Sequence, residues 1–200
     1  MPPRRKNLTK TAESKIRIIS GQWRGRKLPV LDEPGLRPTG SRTKETLFNW
    51  LSLYIADSRC LDAFAGSGSL GMEALSRGAA HTDFIDNNRE VIQVLRSNLA
   101  LLKCNNATVQ HTDPVSWLNN KKGAPYDIVF IDPPFSTPLW HSTTEALVNS
   151  NMLQSDALIY IESPRTEVIT VPKSWQLHRQ LDAGQVCARL YKFDSTGNQA

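Results

Sequence analysis

From Arg59 onward, short apolar runs of strand length alternate with stretches of helical periodicity. "RCLDAF" (59–64), "HTDFID" (81–86), "ATVQH" (107–111), "YDIVFID" (126–132) and "ALIYIES" (157–163) read as strands. "SLGMEALSRG", "REVIQVLRSNLALLK", "PVSWLNN" and a segment over Leu139–Asn149 read as helices between them. In the second of these, Val91, Leu95, Leu99 and Leu102 share one face. Strands separated by helices pair in parallel through right-handed crossovers, which leaves few topologies open. "YDIVFID" is apolar almost throughout, as a strand covered on both faces must be. The C-terminal part departs from this rhythm. "WQLHRQLDAGQVCARLYKF" (175–193) holds two strand-like runs around "DAG" with no room for a helix, and so predicts a β-hairpin. The expected fold is α/β, a doubly wound sheet finished by that hairpin.

Upstream, "KIRIIS" and "WRGRKLPV" predict two short strands joined near Gly21, and "LDEPGLRPTG" is rich in turn formers. "SRTKETLFNWLSLYI" predicts a helix over Ser41–Ile55, with Leu47, Trp50, Leu51 and Tyr54 at helical spacing. Charge separates this region from the rest. Residues 1–44 carry twelve Lys/Arg against three acids, a net +9, while the remainder of the chain is −4. A basic arm on a mildly acidic body suits a polyanionic partner, or it is a solvated tail. Three well-separated cysteines, Cys60, Cys104 and Cys187, with no CxxC pair, support neither a zinc site nor a disulfide framework. They fit a reducing, cytoplasmic compartment. No apolar run approaches membrane-spanning length.

"LDAFAGSGSLG" (61–71) contains Gly66-x-Gly68-x-x-Gly71 between a predicted strand and a predicted helix, the context in which this spacing binds a ligand. Glycines admit a close backbone approach, and the helix start favours a pyrophosphate or the carboxylate of an amino-acid-like cofactor. A tight strand–helix turn without a ligand is the bland alternative. Asp86, at the end of the next strand, can accept ribose hydroxyls or cap the helix starting near Asn88. Asp113 can contact an adenine amino group or cap "PVSWL". The loop alone does not separate a nicotinamide from S-adenosylmethionine. Asp62, four residues before the first glycine, can meet an ammonium and favours the latter. The terminal hairpin points the same way.

"VFIDPPF" (129–135) ends a predicted buried strand in two prolines, which stop the strand and leave Asp132 on a stiff loop. That arrangement has a use in methyl transfer to an exocyclic amino group. Such a nitrogen is a poor nucleophile until two acceptors on its hydrogens hold it pyramidal. Asp132 offers one acceptor and the Pro133 carbonyl a second. Asp132 can also take the proton released, and Phe135 can stack on an extruded base. The bland alternative is a proline turn with Phe135 in the core.

Beyond these physical readings, "DPPF" resembles the catalytic motif of amino-group methyltransferases. "GQWRGRKL…RPTGSRTKETLFNWL", "CLDAFAGSGSLGMEALSRGA", "IVFIDPPF", "ALIYIES" and "AGQVCARLYKF" together resemble the bacterial 16S rRNA guanine-N2 methyltransferase family called RsmD, over about Ile16 to Phe193. The resemblance implies a Rossmann-like class I S-adenosylmethionine-dependent methyltransferase fold, a seven-stranded mixed sheet with a C-terminal β-hairpin and a short basic N-terminal extension. It implies S-adenosylmethionine as donor, S-adenosylhomocysteine as product and one guanine N2 of 16S rRNA, in the 30S subunit or an assembly intermediate, as target. It maps cofactor contacts onto Asp62, Phe64, Gly66, Gly68, Asp86 and Asp113, and catalysis onto Asp132, Pro133 and Phe135. Arg4, Arg5, Lys6, Arg24, Arg26, Lys27, Arg37 and Arg42 are the expected RNA contacts. The expected organisation is a disordered basic arm (1–15), a hairpin and helix packed on the core (16–57), the methyltransferase domain (58–194) and a flexible tail (195–200). A cytoplasmic monomer without metal or membrane association is expected.

Rival readings are a DNA amino-methyltransferase, for which no separate target-recognition domain is visible, and a protein-glutamine methyltransferase, against which the basic arm argues. A nicotinamide oxidoreductase would need only the glycine loop and Asp86. A non-catalytic ribosome-assembly factor that binds RNA would not need both loops intact.

Overall fold

The computed structural model describes residues 14–31, 41–120 and 123–195. The N-terminal part contributes β1 (Lys15–Arg17), β2 (Lys27–Pro29) and α1 (Ser41–Trp50). There follow β3 (Arg59–Asp62), α2 (Ser69–Ser76), β4 (His81–Asp86), α3 (Arg89–Leu101), β5 (Ala107–His111), α4 (Pro114–Asn120), β6 (Tyr126–Ile131), α5 (Trp140–Asn149), β7 (Leu153–Pro164), β8 (Trp175–Ala183) and β9 (Val186–Phe193). β3 to β9 form one seven-stranded sheet in the order β5-β4-β3-β6-β7-β9-β8. β3 to β7 run parallel, and β9 joins antiparallel to both β7 and β8. This is the mixed sheet with a C-terminal hairpin that the alternation predicts.

The apolar run of β6 serves two cores. Val129 and Ile131 pack under α4 and α5 with Leu61, Ile159 and Ile161. Ile128 and Phe130 face α1 and α2 with Cys60, Leu158 and Tyr160. A third cluster seats the β1–β2 hairpin, through Ile16, Ile18 and Leu28, on Met72, Leu75, Leu95 and Leu99. Burying each such side chain contributes roughly 1.5–3 kcal/mol, which is what fastens so short a hairpin.

Helix α1 ends at Trp50, earlier than its periodicity predicts. Its buried stripe runs through Lys44, Leu47, Phe48 and Leu51, and Ile55 turns back into the core, leaving Tyr54 exposed. Strand β7 in turn starts earlier than "ALIYIES", because Leu153 already pairs with Tyr126 before a register shift. Asp156 stands in the left-handed region there, at φ +67°.

The hairpin turn is pressed against the end of α2. Gln22 N–H donates to the Ser76 carbonyl at 2.7 Å, and Trp23 N–H donates to Ser76 Oγ at 3.0 Å. Gly21 has φ +80°, and a Cβ there would stand 1.7 Å from the Ser76 carbonyl oxygen. Gly21→Ala is therefore expected to lower stability by more than about 1 kcal/mol. A urea midpoint equal to that of the unaltered protein would show that the turn yields freely.

Candidate active site

Parallel pairing brings the C-terminal ends of β3, β4, β6 and β7 to one edge of the sheet, where ligands of open α/β sheets bind. Asp62 closes β3, Asp86 closes β4, Asp132 follows β6, and Glu162 lies near the end of β7. The sequence had nominated the first three.

Asp62 is 2% exposed. Its Oδ2 accepts the Gly71 N–H at 2.9 Å, which ties the strand end to the first turn of α2. Burial pushes its pKa up to about 7, the charge of Asp86 adds to this, and the Gly71 hydrogen bond opposes it. Asp86 Oδ2 accepts the Gly66 N–H at 2.9 Å, and Oδ1 accepts the Asn88 N–H at 2.8 Å. The helix cap proper is Asn88, whose Oδ1 accepts from Glu90 and Val91 N–H. These two bonds hold the Asp86 carboxylate in place at the strand end. The cofactor expected from the sequence fits these groups: a buried acid for its ammonium and a pinned acid for its sugar.

Gly68 begins α2 in a left-handed conformation, φ +72°, with no side-chain cap on the helix. A Cβ there would come within 2.4 Å of Leu95 and Met72. Its absence thus serves the internal packing of the loop. Phe64 is half-buried against the α4–α5 core. Asp113 is exposed, and its Oδ1 caps α4 by accepting the Ser116 N–H at 2.8 Å.

The second loop starts at Asp132, which is half-buried, and continues through buried Pro133 to exposed Pro134. The Pro134 carbonyl accepts the Thr137 N–H at 2.9 Å, closing a turn. Phe135 is 43% exposed and therefore not a core residue. Its ring stands 6.3 Å from that of Trp140, which is buried and donates its indole N–H to the Glu162 carbonyl at 2.8 Å. Trp140 thus gives Phe135 a rigid backing, a role that its helical position did not disclose. Glu162 and Tyr160 were missed too. The available signal was a lone acid directly after the apolar run "ALIYI".

Among the expected RNA contacts, Arg24, Arg26 and Lys27 are exposed on the hairpin, and Arg42 is exposed in the first turn of α1. Arg26 also donates to the Leu101 carbonyl at 3.2 Å. Arg4, Arg5, Lys6 and Arg37, with most of the basic arm and the tail, lie outside the described residues. Lys44, counted in the basic excess, is not offered to a partner. It is 3% exposed, donates to the Arg17 carbonyl at 2.9 Å and Ser69 Oγ at 3.0 Å, and stands 3.6 Å from Glu73 Oε2. Glu73, fully buried, also accepts from Ile19 and Ser20 N–H and from Arg77, so one carboxylate joins the hairpin and α1 to the cofactor-loop helix.

The profile of the family described as Conserved hypothetical protein 95 matches residues 16–192. Ribosomal RNA small subunit methyltransferase D of Escherichia coli K12 is 52% identical over 188 residues, 94% of this chain and 94% of that one. The Haemophilus influenzae protein of the same name is 46% identical over 92% of this chain and 97% of its own. The chain belongs to the RsmD family of small-subunit rRNA methyltransferases. The solved structure of yhhF from Escherichia coli superposes with a TM-score of 0.84 at 52% identity, covering 91% of this chain and 99% of that one. RsmD family membership and the strand order together make this a class I methyltransferase fold. Among the described residues no helix is long and apolar enough to cross a membrane.

Proposed function

We propose that this RsmD family member uses S-adenosylmethionine to methylate the exocyclic N2 of one guanine in 16S rRNA. The substrate is the 30S subunit or its assembly intermediate, in the cytoplasm, and the enzyme acts as a monomer without a metal. The observation that carries this reading is the juxtaposition of two loops. β3 and β6 are adjacent and parallel, with Leu61 opposite Val129 and Asp62 opposite Phe130. The glycine loop that follows β3 and the Asp132-Pro133-Pro134-Phe135 loop that follows β6 therefore leave the sheet side by side.

S-adenosylmethionine, when bound, supplies an electrophilic methyl group on a sulfonium. The chain's own residues do the rest. Asp62 receives the ammonium and Asp86 the ribose hydroxyls. Asp113 is the acceptor proposed for the adenine amino group, and Phe64 is a further cofactor contact. Phe135, backed by Trp140, stacks on the extruded base. Asp132 and the Pro133 carbonyl accept from the two N2 hydrogens, turning the nitrogen lone pair toward the methyl group. Asp132 then takes the proton that the new N–C bond displaces. Arg24, Arg26, Lys27 and Arg42, together with the arm, are suited to phosphate, which positions RNA without reading its sequence. Incubation with radiolabelled S-adenosylmethionine and naked 16S rRNA, 30S particles or DNA is the test. Label should enter RNA at a single guanine as N2-methylguanine, and label in DNA alone would overturn the reading.

The elevated pKa of Asp62 has a measurable consequence. Its carboxylate is ionised in the free protein only above about pH 7, and the ionised form is the one an ammonium needs. Affinity for S-adenosylhomocysteine should rise as pH is raised through that value and fall toward acid, by at most about tenfold per unit. 5′-Methylthioadenosine, which lacks the ammonium, should show no such slope. Parallel slopes for the two compounds in calorimetric titrations would remove Asp62 from the ammonium site.

A further inference from the structure

The Asp-Pro-Pro-Phe loop presents a carboxylate to an amino group, and adenine and guanine both carry one. What separates them is the neighbouring ring nitrogen. Beside its N2 amino group guanine has N1–H, a donor. Beside its N6 amino group adenine has N1, an acceptor. An enzyme for guanine N2 therefore gains selectivity from a second acceptor placed next to the first.

The β6–β7 pairing supplies one. Phe130 lies opposite Tyr160 and Ile131 opposite Ile161, in parallel register. Phe130 and Tyr160 face the core under α1 and α2, their rings 6.4 Å apart. Ile131 and Ile161 face the opposite core. β6 ends at Ile131, and one further step of the same alternation carries Asp132, the residue that follows it, and Glu162 of β7 back to the first face. Two observations agree with this placement. Glu162 Oε2 accepts the Tyr160 hydroxyl at 2.7 Å. The same hydroxyl is held against ionisation by burial first, and then by the charges of both Glu162 and Asp132. Glu162 is only 6% exposed, although it sits at the edge of the sheet where the cofactor and base loops meet. An acid buried at such a place, beside another acid, costs free energy unless donors are brought to it.

Building on the guanine reading above, we infer that Glu162 is a specificity-determining residue that accepts the N1–H of the target guanine while Asp132 holds its N2 hydrogens. The donor–donor edge of guanine meets two adjacent carboxylates. Adenine would turn its N1 lone pair toward Glu162 and be repelled. Tyr160 keeps the Glu162 side chain in place and donates to it, and Trp140 holds the Glu162 carbonyl and fixes the strand end. Burial raises the pKa of Glu162, and the Tyr160 hydroxyl opposes that shift. A guanine N1–H is a second donor favouring the ionised form.

The test uses 16S rRNA in which the target guanine is replaced by 2-aminopurine, introduced by ligation and assembled into 30S particles. 2-Aminopurine keeps the 2-amino group but carries a lone pair at N1. Single-turnover methylation by the unaltered enzyme should favour guanine by roughly a hundredfold or more, since a site built for a hydrogen bond rejects an analogue lacking the donor. Glu162→Gln should cut the guanine rate by roughly 10- to 100-fold. The 2-aminopurine rate should change by less than about threefold, so the preference collapses, and S-adenosylhomocysteine affinity should stay unchanged. Intrinsic reactivity differences between the two bases cancel in that comparison of enzymes. Equal loss on both bases, or an unaltered enzyme that does not distinguish them, overturns the inference. The second of these outcomes decides the matter even if Glu162→Gln fails to fold. An unaltered enzyme inactive on both kinds of particle overturns the guanine reading itself, and the inference with it.

Discussion

Replacing Asp132 with alanine is expected to leave a folded protein that binds S-adenosylmethionine normally and transfers almost no methyl group. The strand before it, Tyr126–Ile131, is packed on both faces by its own apolar side chains. The cofactor contacts proposed for Asp62 and Asp86 arise from β3 and β4. What the substitution removes is the acceptor proposed to orient the target amino group and take its proton. General-base function alone is typically worth about 10²- to 10⁴-fold, and the lost orientation adds to it. Single-turnover rates on 30S particles, with cofactor affinity measured on the same preparation, check the expectation. A variant within about threefold of the normal rate would reduce Asp132 to a strand-end residue and remove the proposed mechanism.

Asp86→Ala should act in the complementary way, on binding. The carboxylate accepts Gly66 N–H on one oxygen and Asn88 N–H on the other. It therefore holds the glycine loop in shape, besides the ribose contact proposed for it. Loss of a charge-assisted hydrogen bond costs roughly 1.5–3 kcal/mol, at least about tenfold in affinity. The freed loop should deepen this. Asp86→Asn keeps one acceptor oxygen and should lose less than alanine does. Calorimetric titration with S-adenosylhomocysteine separates these cases. Unchanged affinity in folded Asp86→Ala would exclude the residue from the site.

The position of both residues at strand ends was legible before any coordinates. Each ends an apolar run, and strand ends in a parallel sheet are where chemistry collects. Asp132 was marked further by the two prolines after it. The cap alternatives were legible too, and at Asp113 the cap is what the structure displays. Other assignments were open in the sequence and became definite only with coordinates. Phe135 could be core or surface, and its exposure with Trp140 behind it makes it a surface ring. At Gly68 a side chain would run into Leu95 and Met72, a packing reason for glycine that the sequence did not show. Helix α1 read as longer because Trp50 and Tyr54 continue an apolar spacing, yet beyond Leu51 the chain leaves the helix and buries Ile55 in place of Tyr54.

Lys44 shows why charge is hard to place from sequence. On a helix in a basic segment it looks like a solvated cation. It is buried because Glu73, from a different helix, and the Arg17 carbonyl, from the hairpin, meet it there. The alternation of strands and helices, the terminal hairpin and the two loops were determined by the sequence itself. They rest on periodicity, proline and glycine, whose effects act over a few residues. The order β5-β4-β3-β6-β7-β9-β8, the ion pair between Lys44 and Glu73 and the register of β6 against β7 were decided by tertiary structure. Each depends on which strands become neighbours and in what register, and a one-residue slip between β6 and β7 would turn Glu162 to the opposite face of the sheet.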